Sequence, residues 1–171
     1  MNELQNLDMQ ASNLPRERIL EDNDKYTIVI TVDGETKRKL KFEKLWSIIP
    51  QSDEEMEEIF KVTNDTDNEI VKAMKLHDKK EITIKNILFN PYDKFNEETL
   101  GIDYGVTTMI QTIEGEWYAT SSKMAYYQLQ NMIDAFGFPN EERYRPIKVE
   151  IYLKKEQQGF STNLKFKGIV R

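Results

Sequence analysis

The sequence predicts a mainly β protein (α+β), with five strands in its C-terminal half and one helix between the third and fourth. Three observations carry this. Residues 81–170 read as strand, strand, strand, helix, strand, strand. IKVEIYLKK (147–155) alternates apolar and polar residues, the period of a half-buried strand. Ahead of these, Asp33-Gly34 separates two strand-like runs, which predicts an N-terminal β-hairpin and a region of short helices after it.

Residues 1–24 are polar and aperiodic, and are predicted to be a mobile arm. In KYTIVITV (25–32), Tyr26, Ile28, Ile30 and Val32 share a face, and TKRKLKFEKLW follows the turn. Ser52 is placed to cap a helix over DEEMEEIFKV, whose acids suit a helix N-terminus. Thr66 or Asp67 is placed to start a second short helix over NEIVKAMKL. Residues 25–80 are thus expected to pack on the C-terminal region or to mediate assembly.

The C-terminal region, 81–171, begins at EITIKNILFN (81–90). Ile82 and Ile84 have one parity and Ile87 and Phe89 the other, so a bulge near Asn86 is expected. Pro91 and the polar run to Gly101 read as a loop. YGVTTMIQTI (104–113) and EWYAT (116–120) are the next strands, joined at Glu114-Gly115. Ser121 or Ser122 caps a helix whose Ala125, Leu129, Met132, Ile133 and Phe136 form one stripe, ended by Gly137 and Pro139. In the fourth strand Ile147, Val149, Ile151 and Leu153 point in, and Lys148, Glu150, Tyr152 and Lys154 point out. Gln157, Gln158 and Gly159 mark a loop. In the fifth strand, NLKFKGIV (163–170), Leu164 and Phe166 point in and Lys165 and Lys167 out. This order is the wiring of an oligonucleotide/oligosaccharide-binding (OB) barrel.

A chain of 171 residues buries roughly two thirds of its unfolded surface, enough for one core. No apolar run reaches the ~20 residues of a membrane-spanning helix, and the start lacks the regions of a signal peptide, so the expected location is cytoplasmic. Cysteine is absent and His77 is the one histidine, which removes thiol chemistry and Cys-based zinc sites. No Walker, GxGxxG or GxSxG motif is present. The residues therefore call for no cofactor and no metal, and point to binding over catalysis.

Net charge is −6, but it is unevenly spread. Residues 51–69 carry eight acids against Lys61, and residues 143–171 carry eight bases against Glu150 and Glu156. A one-sided basic surface binds phosphates whatever the total. Single-strand binding needs cations for phosphates and flat rings for bases. The candidates are Lys148, Tyr152, Lys154, Lys155, Lys165 and Lys167 on the last two strands, with Arg143 and Arg145 just before them. Phe160 is placed at the tip of the loop between those strands. Trp117 and Tyr118 are consecutive, so one ring is expected outside. Tyr92 and Phe95 fall in the loop after the first strand, a loop that flanks ligand in OB domains. Each of these has a bland alternative: solvated lysines, rings under the N-terminal hairpin, or Phe160 folded onto the arm or a second subunit.

The block GVTTMIQTIEGEWYATSSKMAYYQLQNMIDAFG (105–137), with PIKVEIYLKK (146–155) and NLKFKGIV (163–170), resembles single-stranded-DNA-binding OB-fold proteins of phages and mobile elements of Gram-positive bacteria. The resemblance implies a non-catalytic role in replication or recombination inside a bacterial host cell, with single-stranded DNA as partner and homo-oligomers as the working form. RNA meets the same chemical requirements. The rival expectation is a phage-encoded inhibitor of a host nuclease or polymerase, a replication or defence protein, acting through the acidic stretch.

Overall fold

A computed structural model describes residues 16–65 and 67–171. The protein is mainly β. Two compact units form: one takes the chain up to Phe42 together with Pro91–Gly105, the other Glu43–Asn90 together with Val106–Arg171.

In the first unit, β1 (Glu17–Asp22), β2 (Tyr26–Thr31) and β3 (Thr36–Leu40) form an antiparallel sheet in sequence order. The β2–β3 turn is the Asp-Gly hairpin that the sequence predicts, with Gly34 at φ 81 where a Cβ would be strained. Residues 17–22, placed by sequence in the arm, are instead a strand, and residues 1–15 of that arm lie outside the described residues. Short polar segments acquire strand structure by pairing, which periodicity alone does not report. On β2 the buried residues are Thr27 and Val29, which alternate with the face that carries Tyr26, Ile28 and Ile30, and Val32 just beyond the strand is 77% exposed. The Thr27 hydroxyl meets the Tyr104 hydroxyl at 2.7 Å, and Lys39 donates to Glu17 at 2.6 Å and to the Ile102 carbonyl at 2.9 Å. These polar contacts, rather than an apolar face, tie residues 101–105 to the sheet.

The second unit holds the main core. β4 (Leu45–Trp46) leads to α1 (Asp53–Thr63), where the Ser52 hydroxyl accepts from the Glu55 amide and the Glu55 carboxylate accepts from the Gln51 amide. The expected second helix does not form. Residues 71–73 are β5 (Val71–Ala73), followed by a single 3₁₀ turn, Met74–Leu76. β5 pairs parallel with β8, and the Asp65 carboxylate accepts from the amides of Glu69, Ile70 and Val71. The Val71 and Ile70 amides hold the Asp65 carboxyl below its ordinary range. Thr66, one of the two predicted cap positions, lies outside the described residues.

β6 (Glu81–Asn96), β7 (Gly101–Thr112), β8 (Trp117–Thr120), α2 (Lys123–Phe136), β9 (Ile147–Lys155) and β10 (Phe160–Ile169) follow in turn. The sheet runs β10-β9-β6-β7-β8-β5, with β4 added on β6, so it holds seven strands where sequence gives five. On β6 the buried parity switches from Ile82 and Ile84 to Ile87 and Phe89, with Leu88 buried between. At the switch the Ser47 hydroxyl accepts from the Ile87 amide. The predicted loop 91–100 shrinks to 97–100, because β6 runs on through Pro91 to Asn96.

Ser122 is the cap of α2, and Ala125, Leu129, Met132 and Ile133 are its buried stripe. Phe136 stacks on Phe166 at 5.0 Å. Phe166 was expected inside and is 42% exposed. It stands opposite Val149 at the last position before a register shift between Phe166 and Gly168. Tyr144, ahead of β9, donates its hydroxyl to the Ile84 carbonyl at 2.7 Å, and burial pushes its pKa up to about 12.

β8 and β10 are not paired with each other among the described residues. The 3₁₀ turn lies against β8, β9 and β10, with Met74 fully buried in the gap. From α2, the Ser122 hydroxyl donates to the Thr162 carbonyl at 2.6 Å, and the Gln128 side-chain oxygen accepts from the Leu164 amide at 2.7 Å. Side chains thus meet two of the backbone groups on the free edge of β10.

Candidate nucleic-acid interface

β9 and β10 form one antiparallel hairpin, so directly opposed residues share a face. Lys154 opposes Ser161, and Tyr152 opposes Asn163; these lie on the face that carries Lys148 and Glu150. Lys155 opposes Phe160, and Leu153 opposes Thr162, on the core-side face. The turn is Glu156–Gly159, closed by the Glu156 amide on the Gly159 carbonyl. Phe160 is therefore not at the loop tip. It is the first residue of β10, 67% exposed, beside Lys155 and across the strand from Lys154. A ring fixed by a strand loses less freedom on stacking than one on a loose loop.

The other predicted bases divide. Lys148 and Lys165 are exposed, but Lys165 opposes Glu150, which itself opposes Glu81 on β6. Lys167 stands 4.0 Å from Glu150. The middle of this face is therefore a mixture of signs, and the positive character concentrates at Lys154 and Lys155. Arg143 bonds Glu141 at 2.7 Å, and Arg145 donates to the Tyr144 carbonyl. Arg143 is already neutralised.

Trp117 and Tyr118 are both buried, against the expectation that one ring is exposed. Trp117 packs with Ile59 and Val62 of α1, Val71, Leu88 and Met109. Tyr118 turns the other way, edge-on to His77 at 5.4 Å, with its hydroxyl on Glu116. His77, read as solvated, is thus half-buried against a ring. Burial of both faces of β8 needs a cover on each, and the alternation of one strand cannot reveal the second cover. α1 is that cover, and it closes the outer side of β7 and β8. Tyr92 and Phe95 sit on β6 in the first unit, not in a loop. Phe95 is 55% exposed, while the Tyr92 ring lies over Gly105, where a Cβ would come within 2.3 Å of it. Tyr92 therefore has a packing role.

Sequence reasoning passed over the basic run at 37–44. Arg38 lies over the Tyr26 ring at 4.0 Å, Lys41 over Tyr104 at 5.2 Å and Lys44 over Trp46 at 4.2 Å. The signal was TKRKLKFEK itself, five bases against one internal acid. Most of these cations are engaged. Lys39 bridges Glu17 and Asp103, and Lys41 bonds Asp22 at 2.6 Å. Burial opposes the charge of Lys39, and its bonds to Glu17 and Asp103 outweigh that and raise its pKa. Among the described residues, no group of three or more His, Asp or Glu side chains is placed to hold a metal ion.

Comparison with known proteins agrees with the resemblance drawn from residues 105–170. The chain is 29% identical over 154 residues to a protein of Bacillus phage GA-1 named single-stranded DNA-binding protein, covering 89% of this chain and 90% of that one. No protein-family model matches, and no solved structure does. The chain is similar to a phage single-stranded DNA-binding protein over most of its length.

Proposed function

We propose that this protein binds single-stranded DNA without catalysis, in the replication or recombination of a phage or mobile element. Contact is made through the outer end of the β9–β10 hairpin. One observation carries the reading: Lys154, Lys155 and a 67%-exposed Phe160 meet at one strand pair, and neither lysine forms an ion pair among the described residues. Free cations release counterions from phosphates, and a fixed exposed ring stacks on a base. The strand order and the helix α2 between β8 and β9 support an OB-like barrel left unpaired between β8 and β10. The name of the GA-1 relative supports the same ligand. Duplex is disfavoured because its bases are already stacked and offer no face to Phe160.

Titration of fluorescent oligo-dT and of a matching duplex, at two salt concentrations, tests this. Single strands bind more tightly, with affinity falling as salt rises at a slope of about −0.7 per phosphate. Absence of oligo-dT binding by folded protein at low salt refutes it. That outcome would favour the inhibitor reading, which draws on α1: its acids are exposed together with Met56 and Phe60.

A further inference from the structure

Cavities on the described surface differ in charge. The one lined by Lys80 and Lys148 also carries Glu81, Glu114 and Glu116. The one in the first unit carries Glu17, Asp33, Glu35 and Glu98. The third, about 330 Å³, lies in the second unit at the gap between β8 and β10. Its polar lining is Asn68, Lys75, Thr107, Thr120, Ser121 and Thr162, with no carboxylate. In a chain of net charge −6, a cavity with one cation, four hydroxyls and an amide is the exception. Its volume sits at the lower end of the ~300–1,000 Å³ range of ligand sites.

The lining chemistry is that of an anion acceptor. A hydroxyl rotates to donate, an amide offers two N–H groups and an ammonium three. The Thr107 and Ser121 hydroxyls share one hydrogen bond at 3.5 Å, so one of the two keeps its hydrogen to donate to a ligand. Thr120 accepts from the Ser122 amide, which leaves its own hydrogen to donate. Lys75 is exposed and forms no ion pair among the described residues. Thr162 follows Phe160 by two residues on β10, so both side chains leave the same face of the strand, with Lys155 opposite Phe160. Phe160 and the Thr162 that lines the cavity are thus two residues apart on one face of β10.

We propose that the cavity between β8 and β10 is a subsite for one phosphodiester group of the bound strand, held by Lys75 with the hydroxyls of Thr107, Thr120 and Ser121. This rests on the single-strand reading above and adds a second, separable point of contact. The test is oligo-dT and oligo-dC titration of the full chain at two salt concentrations, with folding checked by thermal melts. Lys75→Ala lowers the salt slope by about 0.7, the share of one phosphate. Thr107→Val keeps a strand-forming residue and removes one hydroxyl; it weakens both oligonucleotides about three- to tenfold at unchanged slope. Lys61→Glu on α1, which shifts net charge by two, leaves affinity nearly unchanged, while Lys75→Glu weakens it more than Lys75→Ala does. Wild-type affinity and slope in Lys75→Ala and Thr107→Val, with oligo-dT still bound, overturns the subsite and leaves the single-strand reading intact. Equal losses in Lys61→Glu and Lys75→Glu also overturn it, since total charge would then be the cause. A Thr107→Val loss confined to one base overturns the phosphate assignment. Failure of the wild-type protein to bind any oligonucleotide overturns both readings together.

Discussion

Two pairs of lysines, one pair in each unit, are used in opposite ways. In the first unit Lys39 has 13% of its side chain exposed and is held between Glu17 and Asp103, while Lys41 is held by Asp22. In the second unit Lys154 and Lys155 are exposed and form no ion pair among the described residues. Run for run, the first unit's segment 37–41 is at least as basic as the end of β9. The difference is one of occupancy: a cation already bonded to a carboxylate must give up that bond to meet a phosphate. Counting charges along the chain treats the two alike, and only the partners separate them.

Four substitutions sharpen or break this contrast. Glu17→Ala has the largest expected effect. It removes the closest partner of Lys39 while Asp103 and the Ile102 carbonyl remain, which costs about 2 kcal/mol of stability in chemical denaturation. DNA affinity per folded molecule stays the same. Lower DNA affinity at unchanged stability would show instead that Glu17 and Lys39 belong to the interface. Phe160→Ala comes next. Loss of a stacked ring costs about 1–3 kcal/mol of binding with no change in salt slope. A fall in melting temperature with unchanged binding would make Phe160 a packing residue. The smallest effect separates the two hairpin lysines. Lys155→Ala and Lys154→Ala each flatten the salt slope by at most about 0.7. Lys155, on the Phe160 face, gives the greater loss of affinity. The reverse order would move the DNA path to the Tyr152 face.

The elements legible in the sequence are those whose burial has one cause. The alternation of Ile147, Val149 and Ile151 marks one buried face, and the stripe Ala125, Leu129, Met132 and Ile133 marks one helix side. Ser52 and Ser122 cap helices through bonds that span only three residues. What stayed hidden depends on distant partners. Val71–Ala73 lies in a segment that reads as helix and becomes a strand because β8 offers an edge and Asp65 fixes its amides. Trp117 looks like an exposed ring until α1 covers it. In the candidate site, Lys154, Lys155 and Phe160 were legible as a cluster, but their division between two faces follows from the register of β10, which no local pattern sets. Lys75 and Thr107 were not legible at all, since the cavity they line is made by segments far apart in the chain.

β10 is an outermost strand, and such a strand offers its spare backbone groups to any other chain that comes near. Molecules gathered along one nucleic-acid strand would be crowded neighbours, the condition under which sheets fuse edge to edge. The Ser122 hydroxyl and the Gln128 amide already answer the Thr162 carbonyl and the Leu164 amide. Two side chains, one capping and one within a single helix, therefore occupy two of the edge groups that another strand would pair with.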